Sequence, residues 1–109
     1  MRRIEKIAAL SNQLKFQARL KLKRDDGPEA WGSGIGLPVR AYIEIIGPWS
    51  FREVEWLEIN PIAMEHIGRL VAPKQWNHLN ALVSLLQVEN VYYSIVDGMI
   101  RIPFEAIAD

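Results

Sequence analysis

Cysteine is absent from this chain, so it has neither disulfides nor thiolate metal ligands, and its composition fits a reducing compartment. Histidine is nearly absent: His66 and His78 are the only two, and no HEXXH or comparable zinc spacing surrounds them. No apolar run is long enough to span a bilayer. The opening MRRIEKIAAL has the basic start of a signal peptide, but Glu5 and Lys6 interrupt any apolar core and no cleavage-like site follows. A cytoplasmic location without membrane contact is therefore expected. Internal repeats and low-complexity stretches are also missing, and 109 residues suit one domain spanning residues 1–109.

Net charge is zero, but by cancellation between segments. Residues 1–24 carry eight Lys or Arg against the single Glu5, whereas residues 25–109 carry five against twelve acids. Such asymmetry marks either an anionic partner or two segments that neutralise each other within one fold.

What is present is led by Leu14 to Arg24. There Leu14, Phe16, Ala18, Leu20 and Leu22 alternate with Lys15, Gln17, Arg19, Lys21 and Lys23, the period of two of a strand with one dry and one wet face. Ahead of it, residues 3–13 place Ile4, Ile7, Ala8 and Ser11 on one side of a short amphipathic helix. Asp25 to Pro28 supply turn chemistry, and EAWGSGIGLP (29–38) reads as an irregular surface loop. Its GSGIG resembles a phosphate loop only superficially, since Leu37, Pro38 and a strand follow instead of Lys, Ser or Thr and a helix. Trp31 either pins this loop to the core or stands out as an anchor for a partner.

Residues 39–46 read as a second strand and 51–59 as a third, antiparallel to it across the short turn GPWS. Apolar parity switches between Val54 and Leu57, which predicts a bulge near Trp56 or exposure of one aromatic. Asn60 and Pro61 resemble a helix start, with a buried stripe of Ala63, Ile67, Leu70 and Val71 running to about residue 72. After Pro73 a second helix, with Trp76, Leu79, Leu82, Val83 and Leu86 on one face, runs to about Gln87. Residues 90–96 and 99–102 form a hairpin around Asp97–Gly98, and PFEAIAD is a last helical turn or an edge segment. The expected fold is α+β: a mostly antiparallel sheet of about five strands with an N-terminal helix and a central helix pair packed on it.

Three surfaces carry candidate sites. Glu44, Glu53, Glu55 and Glu58 make an acidic hairpin, with Trp31, Trp49 and Trp56 as aromatic anchors beside it; together these seven are the expected protein-binding residues. Lys15, Arg19, Lys21 and Lys23 form a basic row about 26 Å long, the expected surface if the partner is nucleic acid. Set beside the acidic hairpin, the same row would instead be neutralised internally, and that arrangement is the one expected. His66 or His78 with Glu65 or Glu89 would be needed for acid–base or metal chemistry, but no spacing forces them together, so neither catalytic residues nor cofactors are expected. Trp-rich surface and an exposed edge strand would also suit a homodimer.

GPEAWGSG, GPWSFREVEWLEINP and a helical pair ending in a hairpin resemble, over about residues 20–105, a small bacterial α+β family of immunity-protein type, with EWLEI the most distinctive piece. The resemblance implies a non-enzymatic protein that binds and occludes a cognate toxin. It supplies no catalytic residues.

Overall fold

A computed structural model describes residues 1–65 and 68–108. Helix α1 (Arg3–Gln13) turns straight into β1 (Gln17–Leu22). The reversal uses Lys15 at φ 59°, and the Phe16 N–H donates to the Ser11 carbonyl at 2.9 Å. The predicted alternation holds along β1: Phe16, Ala18, Leu20 and Leu22 are buried. Its outer residues, Lys15 at one end and Lys23 and Arg24 at the other, lie beyond the strand in turns.

After β1 come β2 (Gly32–Ser33), the ribbon strands β3 (Tyr42–Glu44) and β4 (Pro48–Ser50), and β5 (Val54–Asn60). Then follow β6 (Ile62–Glu65) and β7 (Lys74–Asn77), helix α2 (Leu79–Val88), and the hairpin β8 (Ser94–Val96) and β9 (Met99–Pro103). Strands β2-β1-β5-β9-β8 form the main sheet, antiparallel at every pairing, while β3-β4 and β6-β7 are separate two-stranded ribbons.

The α+β class, the antiparallel five-stranded sheet and the N-terminal helix agree with the sequence expectation. One face of the sheet is dry. Ala18, Leu20, Leu57, Ile59, Ile100 and Ile102 pack there with Ile4 and Ile7 of α1 and Leu82 and Leu86 of α2 in a single core. Burying each of these Leu and Ile side chains contributes roughly 1.5–3 kcal/mol, and this drives the layering of helices on sheet.

Several elements depart from expectation, each for a local reason. The run 39–46 keeps only Tyr42–Glu44 extended, because Ala41 (φ 65°) and Ile46 (φ 49°) turn the backbone over on either side. Its partner is β4, paired Ile43 to Trp49, and not the strand beginning at Phe51. Residues 51–53 are a 3-10 turn capped by the Ser50 hydroxyl, which accepts from the Arg52 N–H at 3.4 Å. The bulge is where parity placed it: Lys21 opposes Trp56 and Leu22 opposes Val54, leaving Glu55 as the extra residue.

The larger departure is at 60–72, where the described residues form a strand and a turn in place of a helix. Asn60 does use its side chain, but Oδ1 accepts from the Ile62 N–H at 3.0 Å to make an Asx turn into β6. The His78 N–H then donates to the Pro61 carbonyl at 2.9 Å, closing the β6–β7 ribbon. The expected helix residues His66 and Ile67 lie outside the described residues. Among the described residues only α2 of the central pair forms, starting at Leu79, whose N–H donates to Asn77 Oδ1 at 3.0 Å. Its partner on the sheet is α1.

The loop after β1 also has a structural task. A Cβ on Gly32 would stand 2.8 Å from Ile45 Cγ2 and 2.9 Å from Ile46 Cγ1, so β2 reaches this close to the β3–β4 ribbon only as glycine. Asn12 fastens the same loop to α1: its Oδ1 accepts from the Ile35 N–H at 2.7 Å and its Nδ2 donates to the Ile35 carbonyl at 2.9 Å. PFEAIAD begins as a 3-10 turn, Phe104–Ala106, with Phe104 buried.

Candidate functional site

Helices α1 and α2 pack on the dry face of the main sheet, and the charged residues converge on the other. Antiparallel register sets Arg19 opposite Glu58, Glu58 opposite Arg101, and Arg101 opposite Ser94, a polar row across four strands. The next row on that face sets Lys21 opposite Trp56 and Trp56 opposite Pro103.

Glu58 is the centre of the first row and is only 1% exposed. Arg19 donates through Nε to Glu58 Oε1 at 2.8 Å, with Nη2 in ion-pair contact with the same oxygen at 2.7 Å; Arg101 donates through Nε to Oε2 at 3.0 Å, with Nη2 at 2.9 Å. Both oxygens of the carboxylate are thereby engaged, while each guanidinium, with five N–H donors, keeps donors to spare. The Arg19 guanidinium lies 4.4 Å from the ring centre of Trp31, and that of Arg101 lies 4.1 Å from the ring centre of Trp56. The row is thus bracketed by indoles that restrict both arginines and exclude water from Glu58. Arg19 and Arg101 side chains remain 26% and 32% exposed, so a ligand approaching this face meets donors and ring edges, not the carboxylate.

Around this centre the sequence-predicted residues divide. Trp31, Trp56, Glu55 and Glu58 are brought together with Arg19 and Lys21, since Lys21 Nζ pairs with Glu55 Oε2. Glu53 and Trp49 meet at a second place: Arg24 lies 5.1 Å from the Trp49 ring centre and 4.0 Å from Glu53 Oε1. Glu44 is elsewhere, on the β3–β4 ribbon against Gly36. Basic and acidic stretches therefore neutralise one another across β1 and β5. Lys15 stands apart from that ladder, lining a cleft with Met64, Glu65, Trp76 and His78.

His78 packs against aromatic rings, 6.0 Å from Phe16 and stacked 6.4 Å from Trp76. His66 lies outside the described residues. Among the described residues no cluster of three or more His, Asp or Glu could hold a metal, and no helix is long and apolar enough to cross a membrane.

Sequence reading missed Arg101 altogether. Its signal was present: it is the wet-face residue at the centre of β9, as Arg19 and Glu58 are on β1 and β5. The pairing of those three strands, over 39 and 43 residues of chain, has no local signature.

The open face continues into a cleft of about 470 Å³ beyond Trp56, lined by Lys23, Arg52, Arg101, Phe51, Phe104 and Glu105 among others. Its aromatic wall is built at the end of the sheet, where Phe51 and Phe104 meet edge to face at 5.1 Å.

The profile of a family of unknown function (DUF6678) matches residues 7–103, and the chain belongs to that family. The match establishes membership and carries no link to immunity proteins. No curated protein and no solved structure matches the chain.

Proposed function

We propose that this DUF6678 chain is a non-enzymatic binding protein that docks a protein partner on the open face of its five-stranded sheet. The observation that carries this reading is the Trp31–Arg19–Glu58–Arg101–Trp56 row. Trp and Arg are the residue types that dominate interface energetics, and here the shared carboxylate and the stacked indoles hold them in place before any partner arrives, which lowers the ordering cost of association. In its most specific form the reading is that of an immunity or inhibitor protein that covers the active site of a toxin, the role implied by the sequence resemblance. Trp31 and Trp56 are then the anchors, with Glu55 and Glu58 acting through the cations they hold.

The basic row favours nucleic acid less. Arg19 and Lys21 are each bonded to a glutamate of the same chain, and Lys15 is off the strand.

The test is titration calorimetry of the full chain against the product of an adjacent toxin-like gene. Trp31→Ala combined with Trp56→Ala is expected to weaken binding at least tenfold, and Glu44→Lys on the β3–β4 ribbon to change it less than twofold. Unchanged affinity in a folded double variant, checked by circular dichroism, removes the proposed surface.

A further inference from the structure

We infer that the cleft beside Trp56 seats an acidic, aromatic-flanked peptide segment of the partner, an inference that rests on the protein-docking reading above and assigns the partner's charge. The sequence alone suggests the opposite sign, with an acidic hairpin meeting a basic partner. In the folded chain, however, Glu53, Glu55 and Glu58 are engaged by Arg24, Lys21, Arg19 and Arg101. The cleft holds two of the cations left over: Lys23 and Arg52 are exposed and have no acidic partner among the described residues, and Arg101 lines the same space with unused N–H donors. Among the described residues of the open face and this cleft, five cations (Arg19, Lys21, Lys23, Arg52, Arg101) face three carboxylates (Glu55, Glu58, Glu105). A ligand carboxylate is the group that completes this set.

The walls give the rest of the ligand. Phe51, Trp56 and Phe104 make one side of the cleft apolar, so an aromatic or aliphatic side chain beside the acid would be buried as the acid is bound. A nucleic acid strand fits less well. The half-buried indoles of Trp31 and Trp56 already carry guanidiniums at stacking distance, and glutamates stand among the cations, so neither a base-stacking platform nor a continuous phosphate track is present.

The experiment uses the full chain and three probes: an acetylated decamer of alternating Glu and Phe, the Lys and Phe counterpart, and ten-residue oligo(dT). Binding is read by intrinsic tryptophan emission and calorimetry at low and moderate salt. The Glu–Phe decamer is expected to bind, to weaken as salt rises, and to lose at least tenfold in affinity in Lys23→Glu with Arg52→Glu, with Lys23→Gln and Arg52→Gln as the milder pair. Lys74→Glu, on the β6–β7 ribbon, is expected to change it less than twofold. Preference for the Lys–Phe decamer, tighter binding of oligo(dT), no binding of the Glu–Phe decamer, or equal loss in Lys74→Glu overturns the inference. If the Trp31/Trp56 variant loses the protein partner while the Glu–Phe decamer fails to bind, the docking surface stands and only the assigned charge falls.

Discussion

Ser11 and Glu58 are both fully buried polar side chains, and they sit on opposite faces of one sheet. Ser11 lies on the buried side of α1, and its hydroxyl has no hydrogen-bond partner among the described residues. Glu58 lies on the open face with both oxygens engaged by arginines. Depth is equal; satisfaction is not. An orphaned hydroxyl costs about 1–3 kcal/mol and can be carried by a core this apolar, whereas an unpaired buried carboxylate could not be carried at all. The contrast separates a residue tolerated for packing from one whose surroundings are built for it, and this is why the open face, not the core layer, is the place to look for function.

The contrast can be broken most forcefully at Glu58. Glu58→Ala leaves two arginines facing each other beneath their indoles and is expected to destabilise the chain by about 3 kcal/mol, the low end for a broken buried pair because both arginines keep some contact with water. Urea denaturation measures it, and a loss under 1 kcal/mol would mean that the row holds nothing together. At Ser11 the sign reverses: Ser11→Ala should raise stability by about 1 kcal/mol, since it removes the orphan and favours the helix. A destabilised S11A would reveal a partner for that hydroxyl.

Replacing the whole triad by Arg19→Met, Glu58→Leu and Arg101→Met sharpens the comparison further. Stability should stay within about 1 kcal/mol of the parent or rise, because a buried ion set is often no better than apolar groups of like volume. Affinity for the partner should nevertheless collapse, and retention of both would sink the docking surface. The smallest effect belongs to an exposed pair. Arg2 holds the Glu5 carboxyl below the usual glutamate range, first through its side chain and then through its backbone N–H. A depressed folded pKa contributes stability that is present at neutral pH and disappears as pH falls through that lowered value. Arg2→Ala should shift the Glu5 midpoint upward in an NMR titration, and no shift would show that the pair is not formed in solution.

Much of the sheet was legible because its strands alternate. Phe16 to Leu22 and the Asp97–Gly98 turn, both residues at positive φ, are strong local signals that nothing non-local overrides. Residues 60–77 misled because Asn60 followed by Pro61 writes the same capping chemistry into a helix start and an Asx turn, and Ala63, Leu70 and Val71 happen to recur at helical spacing. In the fold Leu70 and Val71 are exposed, so no buried helical stripe exists there to reward a helix. The site was half legible. Each glutamate and tryptophan could be named, yet which cation answers which glutamate depends on register between strands far apart in the chain, and Arg101 acquires its meaning only from that register.

Register also limits how this chain can change. Because Glu55 is one residue more than β1 has partners for, Val54 and Leu57 both face the dry side while Trp56 and Glu58 face the wet one. Losing a single residue there would rotate everything upstream by half a turn, driving Val54 outward and pulling the Phe51 end of the cleft inward. Length variation among relatives should therefore be absorbed in the turns around residues 25–28 or 68–73, and a relative lacking the extra residue should also lack the aromatic wall.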